Sequence, residues 1–161
     1  MMTLGSRLWP RAAPVLSEAR PADAAAFAAL HAASFRHGWN ADEFERLLLD
    51  RTVVAHRAMA GGNLAGFIIS RIADDEAEIL SVAVAIAARG RGLAGKLLDL
   101  HMRRLAGLGA ARVFLEVGKD NAPACRLYAA AGFEEVGRRE GYYQAAAETG
   151  STALVLRRDL A

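Results

Sequence analysis

The spacing of apolar and polar positions changes period along the chain. Between Ala22 and Ser34 apolar residues recur at helical spacing, with Phe27, Leu30 and His31 on one face and Pro21 at the start. Arg36-His37-Gly38-Trp39-Asn40 reads as a loop. A second helix is predicted through Leu49, capped by Asn40 or Asp42, with Phe44, Leu47 and Leu48 turned inward. From Thr52 the period becomes that of strands. Thr52 to Met59, Leu64 to Ile72 and Glu78 to Ile86 are three of them, the first two joined by a hairpin at Gly61-Gly62-Asn63. Asp74-Asp75-Glu76 is the polar turn before the third. Gly90 to Leu108 returns to helical spacing, with Leu93, Leu97, Leu100, Met102 and Leu105 on the buried side and Gly107 and Gly109 ending it. Arg112 to Val117 is a strand and Asn121 to Ala131 a helix closed by Gly132. Phe133 to Arg138 and Thr152 to Arg157 are a final antiparallel pair, and Val15 to Arg20 is a short first strand. This order predicts a mixed α/β sheet in one domain.

Composition narrows the classes. The 161 residues are 53% hydrophobic, enough for a full core. A formal net charge of +2, with the arginines spread out, offers no clustered basic face for nucleic acid. The one cysteine, Cys125, permits no internal disulfide, and a reducing cytoplasm is the expected compartment. No apolar stretch approaches the roughly 18 residues of a membrane span. Met1 to Arg11 is interrupted by Gly5, Ser6, Arg7 and Pro10, so residues 1–14 are expected to be a flexible extension and residues 15–161 the functional domain. His31, His37, His56 and His101 show no ligand spacing, so no metal is expected. Cys125, with no histidine near it in sequence, reads as a packed side chain.

The chemistry concentrates after the third long strand. Arg89-Gly90-Arg91-Gly92-Leu93-Ala94-Gly95-Lys96 is a strand-to-helix turn rich in glycine. Such a turn aims N–H groups and the positive end of a helix at one point, which suits a phosphorylated ligand. Gly90 to Gly95 also fits the dinucleotide pattern G-x-G-x-x-G, with Glu116 as a ribose-binding acid. Against this, the preceding strands form a meander rather than parallel βαβ units, and the chain has no room for a substrate domain afterwards. No Gly-Lys-Ser/Thr is present, which excludes a Walker-type loop.

Downstream, Leu115-Glu116-Val117 is followed by Asn121 and Tyr128, then Gly132-Phe133 and Arg138-Arg139-Glu140-Gly141-Tyr142-Tyr143. With the loop Arg89-Gly90-Arg91-Gly92-Leu93-Ala94, and with Trp39 followed by Phe44, this set resembles the GNAT N-acetyltransferases. The resemblance extends to the type that acetylates ribosomal-protein N-termini, and it runs from about Val15 onward. Two positions depart from the family pattern: Ala85-Ile86 stands where Asp-Pro is usual, and Ala94 where a glycine is commonest.

The resemblance implies a single-domain fold with a mixed, mostly antiparallel sheet and flanking helices. It implies acetyl-CoA as co-substrate and no metal. The donor pyrophosphate would lie on the N–H groups of Gly90, Arg91, Gly92, Leu93, Ala94 and Gly95, beside Arg89. The pantetheine arm would pair with the strand edge at Val82, Ala83 and Val84, with Asn121 adding its amide. Glu116 would accept the amine proton, directly or through one water, and Tyr128 would protonate the departing thiolate. Trp39, Tyr142 and Tyr143 would line the acceptor slot. The implied acceptor is a protein or peptide N-terminus, possibly of a ribosomal protein. Blander readings stay open: Glu116 as a solvated or salt-bridged strand residue, Tyr128 as a core tyrosine, Tyr142 and Tyr143 as loop packing. So do two other functions, a lysine or small-molecule amine as acceptor, and a CoA-sensing module without turnover.

Overall fold

The computed structural model describes residues 13–140 and 152–160. Most of the expected extension lies outside them, as do Tyr142 and Tyr143. The elements are β1 (Val15–Glu18), α1 (Ala24–Ser34), α2 (Ala41–Leu49), β2 (Val53–Ala60), β3 (Asn63–Ala73), β4 (Glu76–Val84), α3 (Leu93–Gly107), β5 (Arg112–Gly118), α4 (Ala122–Ala130), β6 (Glu134–Arg139) and β7 (Ala153–Asp159). One seven-stranded sheet runs β1-β2-β3-β4-β5-β7-β6. Only β4 and β5 are parallel, and α3 is the crossover a parallel pair requires. The fold class is therefore the single-domain, mostly antiparallel α/β sheet expected. The last two strands do pair, but β7 inserts between β5 and β6.

Strand alternation divides the core into two layers. On one face Phe67 and Ile69 of β3 meet Phe27 of α1 and Phe44 of α2, with Phe27 stacked on Phe67 at 4.3 Å between ring centroids. On the other, Ile68 of β3 and Val113, Leu115 and Val117 of β5 pack against Leu97, Leu98, Met102 and Leu105 of α3 and Tyr128 of α4. Helix α3 comes close because β3 carries Gly66 beneath it. A Cβ there would lie 3.0 Å from the Ala83 carbonyl and 3.1 Å from Leu97 Cδ1.

Two details differ from the expectation, and a third adds to it. Helix α3 begins at Leu93, because Gly90 (φ 79°) and Gly92 (φ 73°) are left-handed and cannot continue a right-handed helix. Leu100 is only half-buried, and Leu98 and His101 fill the inner face instead. His101 is also not a lone polar residue. Its Nδ1 is 2.7 Å from His56 Nδ1 on β2, and its Nε2 is 2.7 Å from Ser70 Oγ on β3, all three residues buried. Burial pushes both imidazoles down in pKa, His101 to about 3, where the neighbouring His56 adds to the effect.

Candidate active site

The site is built where the sheet stops being continuous. β4 pairs with β3 as far as Val84↔Gly66, and β5 pairs with β7 as far as Gly118↔Ala153. Between β4 and β5, however, the ladder consists of Glu76↔Arg112, Ala77↔Val113 and Glu78↔Phe114. Beyond Glu78 the strands part. The cause is local: Ser81 faces Ile69 and Ile79 faces Ser70, so Leu80 is an extra residue that bends β4. Val82, Ala83 and Val84 thus present one edge to β3 and the other to an opening. Unpaired peptide groups on such an edge can bond an amide-bearing chain as a further strand would.

The glycine turn closes one end of this opening. Arg89 Nε donates to the Val84 carbonyl at 3.0 Å, tying the turn to the end of β4. The first helical bond of α3 runs from the Lys96 N–H to the Gly92 carbonyl (3.1 Å), and no side chain caps the helix. The N–H groups at the start of α3 therefore keep their donor capacity beside the positive end of the helix dipole. A Cβ added to Gly90, Gly92 or Gly95 would meet nothing within 4 Å, so open space lies over the turn. An uncapped, glycine-lined helix start next to an open strand edge fits the pyrophosphate and the amide arm of a CoA molecule. Ala94 and Arg91 belong to the same turn, and Arg91 is exposed.

Glu116 and Tyr128 lie on opposite faces of the sheet. Val113, Leu115 and Val117 point to the α3 side, so Glu116 projects to the α1–α2 side. Its side chain is 27% exposed and forms an ion pair with Arg139 of β6, Nε to Oε1 at 3.2 Å. The salt-bridged reading is therefore realised, and what it does to the carboxylate becomes part of the site. Tyr128 comes from the α3–α4 layer. Its ring is edge-on to Phe133 at 5.6 Å, and burial, with Cys125 adding to it, pushes the phenol up to about 12. That hydroxyl stays protonated throughout the neutral range.

Asn121 caps α4. Its Oδ1 accepts from the Ala124 N–H at 3.2 Å, with Pro123 in the first turn. Cys125 packs one turn on, its Sγ 3.7 Å from the Gly118 carbonyl. Trp39 is held in the aromatic layer. Its backbone N–H donates to His31 Nδ1 at 3.0 Å, and its ring stacks on that imidazole at 4.7 Å. Sequence reading missed two groups here. Arg139 lies two strands from Glu116, and nothing in the spacing announces the contact. Ser81 Oγ is buried with no hydrogen-bond partner among the described residues, and a serine in an apolar strand was the only hint. Among the described residues no group of three or more His, Cys, Asp or Glu could hold a metal ion, and no helix is long and apolar enough to cross a membrane.

Three comparisons give the arrangement its relatives. The profile of the acetyltransferase (GNAT) family matches residues 24–133. An uncharacterized protein of Mycobacterium leprae is 34% identical over 151 residues, covering 90% of this chain and 40% of that protein. The Escherichia coli [ribosomal protein bS18]-alanine N-acetyltransferase is 37% identical over 82 residues, 51% of this chain and 55% of that one. The chain thus spans about half the length, or less, of these relatives. The crystal structure of the Escherichia coli ribosomal-protein-S18-alanine N-acetyltransferase superposes with a TM-score of 0.83 at 25% identity, covering 92% of this chain and 94% of that one.

Proposed function

From the premise that this chain belongs to the acetyltransferase (GNAT) family, we propose that it transfers an acetyl group from acetyl-CoA to the free α-amino group of a protein N-terminus, with a ribosomal protein as the first candidate acceptor. The observation that carries the reading is the parting of β4 and β5 after Glu78; a carboxylate on one face of the sheet and a buried phenol on the other support it. The Escherichia coli relative, a [ribosomal protein bS18]-alanine N-acetyltransferase, supports the choice of acceptor.

Bound acetyl-CoA supplies a thioester, an acyl group with a good thiolate leaving group. The residues of this chain do the rest. The N–H groups of Gly90 to Gly95 hold the pyrophosphate, with the α3 dipole behind them. The edge of Val82 to Val84 pairs with the amide arm, which aligns the acyl carbonyl in the opening. A backbone N–H of that edge can polarise the carbonyl oxygen. Glu116 takes the proton as the amine nitrogen bonds to the acyl carbon, directly or across one water. Tyr128, protonated at neutral pH, gives its proton to sulfur as the C–S bond breaks. Protein α-amines titrate near about 7.7–8.0, so a carboxylate is base enough.

The test measures thiol release with two peptides. One has a free N-terminal alanine and no lysine, the other a blocked N-terminus and one lysine. Turnover on the first, lost by about tenfold or more in Glu116→Gln and Tyr128→Phe while acetyl-CoA still binds, supports the reading. Turnover confined to lysine or small amines would replace the acceptor. Acetyl-CoA binding without turnover on any amine would leave a sensor module.

A further inference from the structure

The base proposed for the reaction is half of a charge pair. Glu116 of β5 faces Val155 of β7, and Gly118 faces Ala153, whose other neighbour is Arg139 of β6. Directly opposed residues share a face, so Arg139, Ala153, Gly118 and Glu116 lie on the α1–α2 side of the sheet. Gly118 has no side chain and Ala153 a single methyl, so beside Val155 the crossing over β7 is low. Arg139 reaches along it and places Nε 3.2 Å from Glu116 Oε1. The guanidinium is 59% exposed and the carboxylate 27%, so the cation approaches from the wet rim and the anion sits deeper.

The pairing has two physical consequences. The guanidinium engages Oε1, which fixes the carboxylate plane and leaves Oε2 for the amine or its water. The guanidinium also sets a positive charge beside the carboxylate. A lone carboxylate in the opening would draw in any ammonium and hold it charged. The Arg139 charge weakens that attraction, which favours an acceptor that arrives as free amine. At pH 7 roughly a tenth of an α-amine is neutral, but only on the order of one lysine in two thousand.

We infer that Arg139 is a positioning and specificity-determining residue that acts through Glu116: it orients the carboxylate and sets the preference for an α-amine over a lysine ammonium. This rests on the α-amine reading above. The experiment is a double-mutant cycle on the purified protein with the two peptides, using Arg139→Gln, Arg139→Lys, Glu116→Gln and Glu116→Gln/Arg139→Gln. Circular dichroism melting and acetyl-CoA binding serve as fold checks. Arg139→Gln should lower kcat on the free N-terminus by about tenfold while the acetyl-CoA KM stays within about twofold, and should cut the N-terminus-to-lysine rate ratio at least about threefold. Arg139→Lys should restore most of the rate. In the Glu116→Gln background, Arg139→Gln should cost nothing further. Multiplying losses, a wild-type rate in Arg139→Gln, or no recovery with lysine would each overturn the inference. If wild type acetylates only small amines, the α-amine reading and the specificity role fall together. The cycle run on that amine then decides the positioning role alone.

Discussion

The two edges of β4 have opposite fates. Toward β3 the ladder runs from Ala73↔Glu76 to Gly66↔Val84, and its β3 residues from Gly66 to Ser70 are buried. Toward β5 it ends after three residue pairs. After Glu78 the same strand is thus paired on one side and open on the other, and one extra residue, Leu80, falls where the two edges diverge. The difference teaches that a binding site can be made by interrupting a regular sheet rather than adding a loop to it. The closed side carries the stability that lets the open side stay unpaired.

The comparison can be attacked from either side. The largest effect belongs to the closed side. Phe67→Ala removes a fully buried ring that stacks on Phe27 and meets Phe44, and should cost about 3–5 kcal/mol in urea denaturation. A loss below about 1 kcal/mol would mean that the α1–α2 layer is not what anchors β3. On the open side, Gly92→Ala places a side chain at φ 73°, where an L-residue pays about 1–2 kcal/mol. The turn should relax away from its binding geometry, weakening acetyl-CoA by about fivefold or more in calorimetry with little change in melting temperature. Unchanged affinity would remove the turn from the site.

The smallest effect is one of pH and again concerns the closed side. His56 and His101 are neutral in the fold because burial depresses both, whereas the unfolded chain protonates them near 6.5. The unfolded state therefore binds more protons as pH falls. The stabilisation is complete above about pH 6.5 and is lost progressively toward pH 3. Glu18 opposes the depression at His56 and Arg104 adds to it. Melting temperature should drop between pH 7 and 5, and replacing His101 by leucine should flatten that slope. A flat wild-type profile would show that the pair does not titrate with unfolding.

Local chemistry was legible in the sequence, and long-range geometry was not. The glycine turn, the hairpin at Gly61-Gly62 and the Asn40 cap rest on neighbours within a few residues, and each is where its residues place it. Glu116 and Tyr128 likewise fall on the strand and the helix that the spacing predicts. The start of α3 was misread because helical spacing of leucines says nothing about glycine φ angles. The parting of β4 from β5 depends on a bulge whose residue, Leu80, looks like any strand leucine. The His56–His101 contact joins residues 45 apart, and Arg139 finds Glu116 only because β7 enters between β5 and β6. No periodicity encodes that strand order.

Asn121 also gives the opening a sense of direction. Its oxygen already accepts from the Ala124 N–H, while its two amide hydrogens point the group's donor capacity at whatever lies beside it. A partner that meets those hydrogens brings a lone pair, as a carbonyl does. Aspartate would start the helix equally well and offer only lone pairs itself. Residues that are near twins for α4 are therefore opposites for its guest.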